Sequence, residues 1–135
     1  MKPTLALSIR QPWAWLILHA GKDVENRSRG TSFRGRIYVH AGKSYDQGAP
    51  REISPLLNNA QLKAMMLYAH LPRVRGAIVG EVDIVDCWPP SPHFNGGKWA
   101  DLVAYHWHLA NPVAYDQPIP CRGQLGLWAP PEVKA

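Results

Sequence analysis

Lys22, Glu25 and Arg27 fall within six residues of one another in "GKDVENRSRG", directly after the apolar run "PWAWLILHA". A carboxylate can accept hydrogen bonds from an exocyclic amine, as it does from cytosine, and a neighbouring guanidinium can hold it in position. Glu25 and Arg27 have those roles here, and Lys22 can meet a phosphate or a carbonyl oxygen. If burial lowered its pKa, Lys22 could also serve as an activated amine or a general base. The same three charges would read equally as a salt bridge that locks a turn, because oppositely charged neighbours pair.

Further groups stand elsewhere in the chain. Arg29, Arg34, Arg36 and Lys43 form a basic stripe loose enough to follow a phosphate backbone, although a solvated charged face looks the same. Trp13 opens the first apolar helix pattern, and Trp99 sits in "NGGKWAD", where glycines predict an exposed loop on which an aromatic ring could stack against a base. Tyr45 and Trp88 are weaker stacking residues. Asp83 and Glu81 share a strand face with apolar neighbours, which predicts a carboxyl pKa raised toward that of a proton-transfer group. His40 projects from the polar side of its strand as an acid, a base or a phosphate donor, or simply as a structural residue. His106 and His108 form an H-x-H pair with no third ligand at suggestive spacing, so no metal and no cofactor is expected. No Ser/His/Asp triad, phosphate-loop glycine pattern or zinc finger is present.

The elements that must carry these groups follow from periodicity. "LALSIR" alternates as a half-buried strand. Pro12, Trp13, Leu16, Ile17, Ala20 and Gly21 then predict a helix of about three turns with a glycine stop. "KDVENRS" reads as a short extended piece in which Glu25 and Arg27 point to one side. "FRGRIYVHAG" places Ile37, Val39 and Ala41 on one face and Arg36, Tyr38 and His40 on a polar one. Ser54, Pro55 and the stripe Leu57, Ala60, Ala64, Leu67 and Leu71 predict a covering helix, open to a break at Asn58 and Asn59. "GAIVGEVDIVDCW", with Ile78, Val82 and Ile84 opposite Val79, Glu81, Asp83 and Val85, is the clearest strand. "AYHWHLANPV" and "RGQLGLW" supply two more. The fold class is therefore α+β, mainly β: five or six short strands, two or three helices, and a closed or partly closed barrel to hide the strand edges.

The totals are consistent with that picture. The 135 residues read as a single domain, 1–135. A formal net charge of +5 favours a polyanionic partner. The 13 prolines, clustered for example in "NPVAYDQPIP", predict rigid loops between short strands and argue against a helical bundle. Cys87 and Cys121 are read as reduced, mostly buried thiols. Neither a membrane span nor a signal peptide is evident, so a cytoplasmic location is expected.

Taken together, "LSIRQPWAWLILHAGKDVENRS", "RGRIYVHAG", "GAIVGEVDIVDC" and "YHWHLANPVAYDQPIPCRGQLGLW" resemble the ASCH domain, the activating-signal-cointegrator homology domain of the PUA-like superfamily, over nearly the whole chain. The family signature G-x-K-x-x-E-x-R is matched by Lys22, Glu25 and Arg27, with Gly21 one residue closer to the lysine than the pattern has it. The resemblance implies a PUA-like β-barrel with a cleft floored by that segment, and RNA or a modified nucleoside as ligand. Some small bacterial members hydrolyse N4-acetylcytidine with the signature lysine and a threonine where this chain has Glu25; others are nucleic-acid binders or ribonucleases. The expected function is thus RNA or nucleotide binding through Lys22, Glu25, Arg27, Arg34, Arg36, His40, Trp13 and Trp99. The alternative is a small hydrolase of N4-acetylcytidine or RNA using Lys22, Glu25 and Asp83. Expected partners are RNA, single-stranded nucleic acid or a modified nucleoside, with no membrane; a docking protein is the third reading.

Overall fold

A computed structural model describes residues 2–91, 93, 96–131 and 133. Six strands form one sheet: β1 (Ala6–Gln11), β2 (Val24–Arg27), β3 (Gly35–Tyr45), β4 (Ala77–Trp88), β5 (Tyr105–Pro120) and β6 (Leu127–Trp128), in the spatial order β2-β5-β4-β3-β1-β6. Only the β1–β3 pair is parallel. The sheet curls into a half barrel, so the fold is α+β and mainly β, as the strand patterns predict.

The parallel β1–β3 pair requires a crossover, and the chain makes it through α1 (Trp13–His19) and β2. This helix has two turns, not three. Pro12 precedes it as the capping residue, and the Pro12 carbonyl accepts the first intrahelical bond from Leu16 at 3.0 Å. Ala14 and Ile17 of α1 join Leu7, Ile9, Ile37, Val39, Ala41, Val79, Val82, Ile84, Trp107 and Leu109 in the main core. The next face of α1, Trp15, Leu16 and Ala20, packs with Val24, Ile53, Met65, Ala69 and Trp99 in a second cluster. α1 is thereby buried from two sides and fixes where its C-terminal turn emerges.

The opposite side of the sheet is also covered. Tyr38 and His40 alternate away from the main core as expected, yet both are buried, because Trp128 and Val133 of the C-terminal segment close over Ala6, Tyr38 and Ile78. The polar face expected of β3 is therefore an interior.

Three elements differ from the periodicity reading. The covering helix is divided: residues 54–56 form a 3-10 turn, and Asn58 caps a separate helix α3 (Asn59–Tyr68) through a capping box with Gln61, beyond the short α2 (Ala49–Ile53). Met65 and Ala69 face its core and Leu67 stands exposed, since the new cap rotates the helix relative to a stripe counted from Leu57. In β4, an irregularity between Ile78 and Gly80 reverses the alternation, so Val79 joins Val82 and Ile84 in the main core and Ile78 turns to the other side. The segment "NPVAYDQPIP" continues β5 instead of forming a loop. Beyond His108, β5 has β4 on one side only, and a proline whose missing N–H faces the open side interrupts no ladder.

Candidate ligand-binding cleft

Gly21 supplies the turn that the site needs. Its φ of +72° is a left-handed conformation that glycine adopts without penalty, and the following Lys22 N–H donates to the Leu16 carbonyl at 3.1 Å. The chain then enters β2, which pairs antiparallel with β5, Glu25 opposite Trp107 and Arg27 opposite Tyr105. Strand alternation sends Val24 into the second core cluster and aligns Glu25 with Arg27.

The three charges meet. Lys22 Nζ donates to the Val24 carbonyl and, at 3.3 Å, to Glu25 Oε1. Arg27 Nε donates to Glu25 Oε2 at 2.9 Å, and Arg27 Nη2 donates to the Ser8 carbonyl at 2.8 Å. Exposure decreases along this chain, with side-chain values of 26% for Arg27, 9% for Glu25 and 2% for Lys22. Burial pulls the Lys22 pKa below the ordinary lysine value, against the opposing pull of the Glu25 charge. Trp13 lies 5.7 Å from the Lys22 ammonium, centroid to nitrogen, and Trp107 lies 5.9 Å from the Arg27 guanidinium.

These residues line an open cleft of about 740 Å³, the size class of small-molecule sites. Trp13 and Trp99 line it too. Trp13 is held by a 3.1 Å hydrogen bond from Nε1 to Asp46, which Arg10 also approaches at 3.5 Å. Trp99 is not the exposed platform that its glycine-rich loop predicts: it is only 6% exposed and belongs to the second core cluster. Of that loop, Asn95 lies outside the described residues. Asn26, between the signature acid and arginine, explains the difference. Its Nδ2 donates to the Trp99 carbonyl at 2.9 Å and its Oδ1 accepts from the Asp101 N–H at 2.9 Å, which clamps the loop to β2. The lining balances four cations, Arg10, Lys22, Arg27 and Lys98, against four acids, Glu25, Asp46, Glu52 and Asp101.

The remaining expected site residues stand elsewhere. Arg36 donates to Glu81 at 2.6 Å and to Asp83 at 2.9 Å across the β3–β4 pair, and Arg34 approaches Asp86 at 3.5 Å. The basic stripe is therefore largely neutralised. Asp83 also accepts from Asn111 Nδ2 at 3.0 Å, and these two donors hold its carboxyl below, not above, the ordinary range. The raised pKa expected from its apolar strand neighbours does not occur. His40 is buried: Nε2 donates to the Cys121 carbonyl at 2.6 Å, which leaves Nδ1 to accept from the Ser8 hydroxyl at 3.0 Å. Among the described residues no three His, Cys, Asp or Glu side chains come together as a metal site. His106 is fully buried and donates Nε2 to the Asp101 carbonyl, while His108 packs on Trp88.

Sequence patterns did not single out Ser8, Asn26 or Asp46. Asn26 carried a signal, since an amide inside a charged four-residue strand needs partners for both its donor and its acceptor. Ser8 and Asp46 carried none, because their roles arise from the crossover that brings β1 and the end of β3 beside β2.

Comparison with known proteins agrees with this architecture. The family model described as the ASCH domain matches residues 7–118. Activating signal cointegrator 1 of Homo sapiens is 36% identical over 84 residues, covering 60% of this chain and 14% of that protein. The Mus musculus protein of the same name is 38% identical over 85 residues, again 60% and 14%. The similarity thus spans only a small part of those relatives' own length.

Proposed function

This chain belongs to the ASCH domain family, and on that premise we propose that it binds RNA, or a nucleotide derived from it, in the cleft around Lys22, Glu25 and Arg27. The observation that carries the reading is the buried Lys22–Glu25–Arg27 network in the wall of an open cleft. Two cations compensate one carboxylate, so the acid stays ionised, fixed in direction and still able to accept from a base amine. Trp13 offers an indole face in the same cleft. The balanced lining charge suits a base better than a run of phosphates, so the cleft takes one nucleoside unit.

A second reading is favoured by one observation, the lowered pKa of Lys22. A neutral amine can take a proton from water as it attacks the acetyl carbonyl of N4-acetylcytidine, with cytidine leaving as the amine and acetate as the acid. Asp83 has no part in this version, since it is paired with Arg36 on another surface of the sheet.

The test incubates the protein and Lys22→Ala with N4-acetylcytidine and a short mixed-sequence RNA, followed by mass spectrometry and by a binding titration of each. Binding without turnover supports the binder. Turnover by the parent only supports the hydrolase. Neither binding nor turnover by a folded parent removes both readings.

A further inference from the structure

A second cavity of about 630 Å³ shares Ser8 with the cleft. Its wall includes Lys43 and Arg122, and no carboxylate lines it. In that it contrasts with the cleft, where each cation is matched by an acid, and with Arg34 and Arg36, whose charges go to Asp86, Glu81 and Asp83. Arg75 adds a third positive charge alongside, donating Nη1 to the Lys43 carbonyl at 3.3 Å. Among the described residues Lys43, Arg75 and Arg122 have no ion-pair partner. His40 also lies in the wall, but both its ring nitrogens are engaged, so it has no donor left for a ligand.

Resting on the reading above, we propose that a nucleic-acid strand held by one nucleoside in the cleft crosses Ser8 and lays a neighbouring phosphate in this second cavity against Lys43 and Arg122. A phosphate is drawn to unneutralised cations, and its binding displaces counterions. Two cations here have no competing acid, and a shared wall joins them to the nucleoside site. The phosphate track thus runs along the end of β3 and the segment after β5, not along Arg34 and Arg36.

The experiment measures binding of a fluorescein-labelled RNA of about ten nucleotides, within the usual site size, by anisotropy across a salt series. Unphosphorylated cytidine is titrated in parallel as the probe of the cleft alone. The variants are Lys43→Ala/Arg122→Ala and, separately, Gly42→Glu. Gly42 lines the cavity, has an ordinary φ, and a Cβ there meets nothing within 4 Å, so this change introduces an acid without touching either cation. Both variants are expected to lose about tenfold in RNA affinity at low salt, and the double variant to lower the salt slope by about 1.4, at roughly 0.7 per lost phosphate contact. Cytidine binding should be unchanged. RNA affinity and slope that match the parent in both folded variants would overturn the track, and the cleft would stand if cytidine still binds. A parent that binds neither RNA nor cytidine overturns both proposals together.

Discussion

Lys22 and Glu25 form a 3.3 Å ion pair with both side chains almost entirely withdrawn from water, three residues apart across the turn between α1 and β2. Removing the acid alone leaves a buried ammonium uncompensated, which typically costs about 3–5 kcal/mol. Glu25→Ala should therefore lower the urea midpoint strongly. Replacing both partners, as in Lys22→Met/Glu25→Leu, should recover much of that stability while ligand binding stays lost. A double variant that keeps its affinity would show that the pair only braces the turn.

Asn26 is expected to separate affinity from stability. Its two hydrogen bonds hold residues 99–101 against β2 and so keep Trp99 in the cleft wall. Each bond contributes about 1 kcal/mol, so Asn26→Ala should cost roughly 2 kcal/mol or less in chemical denaturation. Ligand affinity should fall as well, because the wall must then be ordered on binding. Hydrogen exchange would reveal the loosening as faster exchange of the Asp101 amide.

Arg36 provides the opposite case. Its guanidinium is shared between Glu81 and Asp83, with all three side chains about a quarter exposed, so solvent screening limits the network to about 1 kcal/mol. Arg36→Ala should be mildly destabilising and should leave RNA affinity within about twofold of the parent, since its charge is already neutralised. A salt slope that falls by one full contact in this variant would restore Arg36 to the phosphate track.

His40 predicts a pH dependence. Burial lowers its pKa below the ordinary value of 6.5, outweighing the opposing effect of the Cys121 carbonyl. The unfolded chain then takes up the proton first as pH falls through 6.5, so the contribution is present above that value and is lost progressively below it. Protonation would also put a second N–H at Nδ1, toward a Ser8 oxygen that already accepts from Trp128 Nε1 at 3.1 Å. Denaturation at pH 7.5 and 5.5 should show a steeper loss in the parent than in His40→Gln. Parallel curves would place the titration on another group.

Local pattern determined much of this protein. The alternation in β1 and β3, the glycine that ends α1, and the joint direction of Glu25 and Arg27 depend on neighbouring residues only, and the order of polar and apolar side chains records them directly. The family could be read for the same reason, from short stretches near the crossover and along β4 and β5. Whether a charge is free or spent was decided by the tertiary structure. Arg36 and Lys43 look alike in the chain, yet register places Arg36 beside two acids on β4, while Lys43 reaches a cavity with none. Burial was decided the same way: Trp99 is interior because Asn26 clamps its loop, and His40 because the C-terminal segment returns over β3. Contacts between residues so distant along the chain leave no periodic trace in it, so the outline of the cleft was legible in "GKDVENRSRG" and its walls were not.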